Sequence, residues 1–282
     1  MSKLTKALEG LSGGSTNKGN DNRFWQAEVD KAGNGYAVIR FLDSPQIDGE
    51  DGMPWVQIFN HGFQGPGGWL IENCLTTING KCPVCEHNSA LWNSGIESNK
   101  DVVRKQKRKL SYIANILVIK DAAHPENEGK VFLYKFGKKI FDKIKEKIEP
   151  QFEDEKAVNP FNFWEGANFK LKIRNVEGYR NYDKSEFDSV SALADGDDAD
   201  IEKIWKAAHS LKAFLAASEF KTHEELKAKL DRTLGLSGSV KPRFKSAEEA
   251  GEEVSEPVQT SDSGTTTEDD DTLSYFNRLA AE

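Results

Sequence analysis

The chain has only three cysteines, Cys74, Cys82 and Cys85, and all fall within twelve residues. An odd, clustered set is poor material for disulfides and good material for a metal. With His61 the spacing is H-x12-C-x7-C-x2-C. Zn²⁺ favours four nitrogen and sulfur donors in a tetrahedron, and Cys82-Pro83-Val84-Cys85 lets two thiolates converge from one tight turn. Three thiolates and one imidazole leave no open position, so the site reads as structural. His87 competes with His61 for the fourth place, although two residues after Cys85 its approach to the same ion would be cramped. The zinc deaminase pattern fails: Gly62 and Phe63 follow His61 with no glutamate, and Pro83 lies between the cysteines rather than before them. His-Glu-x-x-His is absent, which argues against a zinc protease. No βαβ pattern surrounds Cys-x-x-Cys to support a redox role.

A second constellation could bind rather than react. Lys105, Lys107, Arg108 and Lys109 precede Ser111-Tyr112; Tyr134 and Lys135 are followed by Lys138 and Lys139; Tyr179-Arg180-Asn181-Tyr182 repeats the mixture. Four of the six tyrosines thus stand beside basic residues. Lysine and arginine neutralise phosphates and release counterions. Aromatic faces stack bases at about 1–3 kcal/mol each, with little regard to sequence. The bland alternative is a solvated basic face with tyrosines packing in strands. No helix-turn-helix or finger-helix pattern points to duplex reading, so the balance favours an unpaired strand.

The elements that must position these residues are mostly strands. Alternation and turn signals predict strands at Tyr36–Leu42, Trp55–Phe59, Ser111–Lys120, Val131–Phe136 and Phe169–Ile173. Helical spacing predicts helices over Lys138–Glu149, Asp200–Ala217, with its N-cap at Asp198 or Asp200, and Thr222–Leu234. Residues 60–95 have little periodicity and would need a metal for order. The expected organisation is a flexible N-terminal arm over 1–22, a folded body over 23–235 that includes the metal subdomain at about 60–95, and a disordered acidic tail over 236–282. The fold class expected is mainly β with helical additions, a small barrel.

Charge is segregated along the chain. Residues 246–282 hold eleven acidic residues and one basic, more than the whole formal net charge of −8, so the rest is slightly positive. Residues 100–147 hold fourteen Lys and Arg against six Asp and Glu. No signal peptide or membrane-spanning run is evident, and the longest apolar run is broken by Asn115, so a cytosolic protein is expected. No paired nucleophile and base, phosphate-cradling loop or open metal position appears, so no catalysis is expected. The rival to a nucleic-acid binder is a zinc-ribbon interaction module that uses its tail as bait.

Several segments carry a resemblance. They are Ala32-Gly33-Asn34-Gly35 with Ala37–Leu42, Asn60-His61-Gly62-Phe63, Cys82-Pro83-Val84-Cys85, Lys107-Arg108-Lys109-Leu110-Ser111-Tyr112 with Ala114-Asn115-Ile116-Leu117-Val118, Pro125–Phe132, Phe136-Gly137-Lys138-Lys139-Ile140, and Trp164–Phe169. Together they resemble, in consistent order over about residues 25–225, the replication single-stranded-DNA-binding protein family of T-even-type bacteriophages. The resemblance implies an OB-fold barrel with an inserted zinc-ribbon-like subdomain. It also implies cooperative, sequence-independent coating of single-stranded DNA in replication, recombination and repair, in the cytoplasm of the bacterial host. It implies one structural zinc on His61, Cys74, Cys82 and Cys85, since the family pattern lacks the histidine at 87. It places base stacking on Tyr112, Tyr134, Tyr179 and Tyr182, with phenylalanine standing in the family at position 179. Self-association along the strand would fall to Lys3, Thr5 and Lys6 around Leu4 and Leu8, a thinner basic cluster than the family's. Replication and recombination proteins would be met by the tail, through Asp269, Asp270, Asp271, Leu273 and Phe276.

Overall fold

The computed structural model describes residues 21–236. The arm positions Lys3, Thr5 and Lys6 and the tail positions Asp269, Asp270, Asp271, Leu273 and Phe276 lie outside the described residues. Nine strands are described: β1 (Phe24–Trp25), β2 (Gly35–Phe41), β3 (Trp55–Gly65), β4 (Gly68–Asn73), β5 (Lys109–Asp121), β6 (Val131–Phe136), β7 (Ala167–Val176), β8 (Tyr179–Asn181) and β9 (Glu186–Val190). The α-helices described are α1 (Pro83–Trp92), α2 (Glu97–Gln106), α3 (Lys138–Ile148), α4 (Asp198–Lys206) and α5 (His223–Thr233). Among the described residues no helix is long and apolar enough to cross a membrane. The described residues divide into two compact units, one of residues 21–55 with Ile113–His209, the other of Val56–Tyr112 with residues 210–236.

The first unit is built on a mixed sheet. β2 lies between β5 and β7, antiparallel to both, and β1 runs parallel to β6 with Trp25 opposite Tyr134. Side chains alternate along a strand, and here Ala37, Ile39 and Phe41 face the core. Phe41 centres an aromatic cluster, with ring centroids 5.6 Å from Phe136 and 5.8 Å from both Phe161 and Phe169. These tilted and edge-on contacts suit the ring quadrupoles. The other face of β2 carries Arg40, fully buried, which donates to the carbonyls of Asn162 and Ser191, both at 2.9 Å. Burial lowers its pKa to about 10, so it stays charged at neutral pH. The Trp164–Phe169 turn needs Gly166 for this contact: a Cβ there would lie 2.2 Å from the Asn162 oxygen and 2.7 Å from the guanidinium.

The second unit packs a hairpin against helices. β3 and β4 pair antiparallel from Asn60 opposite Asn73 to Gly65 opposite Gly68. One face turns His61, Phe63 and Leu70 inward, against Cys74, Leu75, Cys82, Val84, Cys85, Leu226 and Leu230. α5 begins at a capping box: the Glu225 backbone N–H donates to the Thr222 hydroxyl, and the Thr222 N–H donates to the Glu225 carboxylate. Its C-terminal end lies against the hairpin turn, where the Gly67 N–H donates to the Thr233 carbonyl at 2.9 Å.

The structure corrects three local expectations. Residues 60–95 are more regular than expected and contain β4 and α1. The helix expected over Asp200–Ala217 is α4 alone, followed by short turns. The Asn115 side chain explains the stop: it donates to the His209 carbonyl and accepts from the His209 N–H, drawing the chain out of helical bonding. The N-cap of α4 is Asp197, whose carboxylate accepts from the Asp200 N–H at 2.9 Å.

A Cβ at Gly67 would stand 1.7 Å from the Arg232 carbonyl oxygen, whereas one at Gly62 would meet nothing within 4 Å. Gly67→Ala is expected to destabilise the protein by about 1–3 kcal/mol, as overpacking does, and Gly62→Ala to be near neutral. Urea unfolding of the two variants measures the contrast.

Candidate metal centre and basic aromatic surface

The donors of the metal cluster are placed by three elements of the second unit. His61 points inward from β3, Cys74 follows β4, Cys82 is the N-cap of α1, and Cys85 lies in its first turn. Pro83 occupies the start of α1, where its missing N–H costs nothing and its fixed φ suits the helix. Between Cys74 and Cys82 the chain reverses through Asn79 in the left-handed region, φ 59°. All four residues are buried and their donor atoms lie within 4.8 Å of one another. Cys74 Sγ is 3.5 Å from Cys85 Sγ, and His61 Nε2 is 3.5 Å from Cys85 Sγ and 3.6 Å from Cys82 Sγ. A tetrahedron with metal–sulfur bonds near 2.3 Å and a metal–nitrogen bond near 2.0 Å requires donor separations of about 3.5–3.8 Å. The arrangement therefore fits a four-coordinate metal ion.

The donors' proton affinities agree with shared occupancy. Hydrogen bonds from Cys74 and Cys85 hold the Cys82 thiol far down, while hydrogen bonding to Cys74 and Cys82, then burial, pushes the Cys85 thiol up. Burial works to lower the His61 pKa, but hydrogen bonds to Cys74 and Cys82 outweigh it and raise it to about 9. A divalent cation would replace the protons these groups compete for. The ring is oriented from behind: His61 Nδ1 donates to the Gln106 carbonyl at 3.1 Å, leaving Nε2 for a metal. Asn88 Nδ2 donates to the same carbonyl at 3.1 Å. His87 is not part of the cluster. It is half-buried, its pKa lowered by burial and then by Lys227 of α5.

The basic residues of the second unit surround this centre more closely than the sequence suggests. Arg108 lies over the Phe59 ring, 4.0 Å from its centroid, and donates to the Thr76 hydroxyl at 2.7 Å. That hydroxyl is 3.1 Å from Cys74 Sγ. Lys105 and Lys109 are exposed, and Lys107 is half-buried. Tyr112 is only 4% exposed. A further aromatic site escaped the sequence reading: Trp92 on α1 has Lys100 Nζ 5.7 Å and Arg104 Cζ 6.0 Å from its ring centroid. Its signal was present as a basic run one helix after a tryptophan, but only the packing of α1 against α2 joins them.

On the first unit, Lys135 and Lys139 are exposed and Lys138 is half-buried. Tyr179 is 57% exposed and Tyr182 is half-buried. Tyr134 is different: 6% exposed, it stacks on Phe136 and meets the edge of Trp25, both at 5.4 Å. Burial pushes its phenol pKa up, with Tyr182 adding and Arg180 opposing. So Tyr112 and Tyr134, expected as open stacking faces, are packed inside their units, because their strand positions point inward. Two cations were missed, Arg174 and Lys143. Asp183 reveals them: its carboxyl is held below the usual range first by a hydrogen bond from Asn181, then by Lys139, Lys143 and Arg174. The alternation Lys170, Lys172, Arg174 along β7 was the available signal, yet Lys170 and Lys172 pair with Asp188 and Glu186 at 2.8 and 2.6 Å, whereas Arg174 stands opposite Asn181.

A mixed sheet, a buried His-Cys₃ cluster that fits a metal ion and exposed cations beside an aromatic ring suit a binding protein with a metal site. Comparison with known proteins refines that class. A family model described as "gp32 DNA binding protein like" matches residues 33–234. The single-stranded DNA-binding protein of Enterobacteria phage T2 is 40% identical over 272 residues, 93% of this chain and 87% of that protein. That of Enterobacteria phage T4 is 39% identical over 276 residues, 95% of this chain and 89% of that protein. The chain belongs to the gp32 DNA-binding protein family.

Elemental analysis of the purified chain is expected to find one divalent ion per chain, and Cys82→Ser to lose it. Retention should weaken as pH falls, because each thiolate must then be won from a proton. On chelation, amide exchange should accelerate in Val56–Tyr112 while Ile113–His209 keeps its protection. Equal acceleration in both would show that the centre is not a local source of order.

Proposed function

We propose that this chain binds single-stranded DNA, as the names of its phage relatives say of them, and that it does so without sequence readout and without catalysis. The observation that carries the reading on this chain is the exposed Tyr179 with Arg174, Arg180, Lys139 and Lys143 on the same unit. Cations neutralise phosphates there, and a flat ring offers a face to any base. Lys105, Lys107, Arg108 and Lys109 add phosphate contacts on the second unit, with Trp92 between Lys100 and Arg104 as a further ring. Lys135, Lys138 and Tyr182 extend the first set. Tyr112 and Tyr134 act mainly from within, holding the strands that present the cations. The metal is zinc: three thiolates and an imidazole form a soft, closed set suited to that ion in a structural role. The sheet is read as an OB-fold barrel and the His-Cys₃ region as its inserted zinc-ribbon-like subdomain. The arm at Lys3, Thr5 and Lys6 serves self-association along the strand. The acidic tail meets replication and recombination proteins, and the work is done in the cytoplasm of the bacterial host.

Titration of poly-deoxythymidine against duplex DNA at two salt concentrations tests the reading. The single strand should bind far more tightly, with affinity falling steeply as salt rises. Tyr179→Ala should cost about 1–3 kcal/mol of binding with the salt slope unchanged. Arg174→Ala should lower the slope by about 0.7, the value for one phosphate of a single strand. Equal affinity for both polymers, or a slope unmoved by Arg174→Ala and Lys139→Ala, would contradict it.

A further inference from the structure

A cleft of about 290 Å³ opens in the first unit between the second half of α3, the segment that follows it and the start of β9. Lys143 and Lys147 stand one turn apart on the same face of α3, and both line it. The Val158 N–H donates to the Lys147 carbonyl at 2.9 Å, which folds residues 150–156 back along the helix end and brings Glu155 and Lys156 to the cleft. The opposite wall is fixed as well. The Ser185 hydroxyl accepts from the Lys172 N–H at 2.9 Å and donates to the Lys172 carbonyl at 3.1 Å, and the Phe187 ring packs 4.8 Å from that of Phe169. Phe187 is only half-buried, so a firmly held ring is left partly open to the cleft.

The lining selects its occupant. Lys143 and Lys147 are half-buried, and among the described residues neither they nor Lys156 form an ion pair. Half-buried cations without a counter-charge favour an anionic guest. Three carboxylates also line the cleft. Glu186 is held by Lys172 at 2.6 Å, whereas Glu146 and Glu155 form no ion pair among the described residues. Such carboxylates repel a bare polyanion but accept hydrogen bonds from amino groups. Cations, a flat ring and free carboxylates in one small cleft match a guest with an anionic group, a flat middle and N–H donors. A nucleotide whose base carries an amine, as cytosine and adenine do, has all three; a carboxylate accepts from cytosine N4, and thymine offers no amine. The volume lies at the small end of the roughly 300–1,000 Å³ of ligand pockets, which suits one nucleotide rather than a stretch of chain. Lys143 also donates to the Asp183 carbonyl at 3.2 Å, two residues past the strand that bears Tyr179. A polynucleotide lying on Tyr179 and Arg174 therefore passes the cleft.

Resting on the single-strand reading, we propose that this cleft is a subsite for one nucleotide of the bound strand, with its phosphate on Lys143 and Lys147, its base against Phe187 and its amino group on Glu146 or Glu155. The cleft biases binding toward amino-bearing bases without fixing a sequence. Fluorescence titrations of the full chain with oligodeoxycytidine and oligodeoxythymidine of equal length test this. Glu146 and Glu155 are exposed, so their truncation leaves the fold intact. In the variant carrying Glu146→Ala and Glu155→Ala, the ratio of deoxycytidine to deoxythymidine affinity should fall about fivefold, the lower end of what one base contact discriminates. The general gain from removing two negative charges cancels in that ratio. Lys147→Ala should lower the salt slope for both oligomers by about 0.7. An unchanged ratio in the double variant, with both oligomers still bound, would overturn the subsite and leave single-strand binding standing. Failure of the parent chain to bind either oligomer would overturn both. Free deoxycytidine monophosphate binding as tightly as the oligomer would also overturn the subsite, since the guest would then be a small metabolite and not the strand.

Discussion

The carbonyl oxygen of Gln106 accepts two hydrogen bonds, from His61 and from Asn88, and much of the second unit depends on that point. It fixes the tautomer and rotation of the imidazole, so that Nε2 faces the three sulfurs. It also ties the end of α2 to α1, because Asn88 belongs to α1. One residue further, the chain enters the basic stretch that leads into β5. Arg108 makes a second tie through Thr76, whose hydroxyl lies against Cys74. The basic stretch is thus pinned to the metal centre on both sides. Its cations are presented by a frame that the four donors hold, and a guanidinium stacked on Phe59 has less freedom to lose when it meets a phosphate. The His-Cys₃ cluster and the basic stretch are, in this unit, one arrangement.

In the first unit the same economy appears in the aromatic residues. Tyr134 is held between Trp25 and Phe136, and its burial fixes the pairing of the short β1 with β6. Its hydroxyl still feels Tyr182 and Arg180, so the buried ring sets the floor on which the more open residues stand. Tyr179 follows the turn at Glu177 and Gly178, both with positive φ, and that turn carries β8 back along β7. Non-glycine residues avoid the left-handed region, so Glu177 is held there by the hairpin itself. The turn brings Tyr179 opposite Val176, and both remain exposed.

The metal donors were legible because their chemistry depends on residue type and spacing alone: Cys82 and Cys85 share a turn, and few proteins gather three thiols for any other purpose. The long strands were legible from alternation, as in Phe169–Ile173. The short strands β1, β8 and β9 were not, since two to five residues carry too little pattern. The helix α1 was hidden because Cys85, a donor of the cluster, occupies one of its few apolar positions, which blurs helical spacing. The inward turn of Tyr112 and Tyr134 was invisible for a different reason. A tyrosine beside a lysine reads the same whether the ring or the amine faces water, and only the strand register decides. The stop after α4 came from a side chain ninety-four residues away, Asn115, which no local window contains.

Charge counted along the sequence overstates the cations available to a polyanion, and β7 shows why. Lys170 and Lys172 face Asp188 and Glu186 across the pairing with β9, and such exposed pairs are nearly neutral at a distance. Arg174, two residues on, has passed the end of β9 and stands opposite Asn181 of β8 instead. One alternating strand is therefore neutral along most of its length and cationic at its tip. The same division holds on α2, where Lys100 and Arg104 pair with Glu97 and Asp101 yet keep their faces over Trp92. Asp183, the acid within the cationic tip, is bonded to Asn181 and kept ionised by its neighbours, so it trims the local field without titrating near neutral pH. What the fold selects from fourteen basic residues between positions 100 and 147 is a smaller, placed set, and placement rather than number governs where a flexible strand can lie.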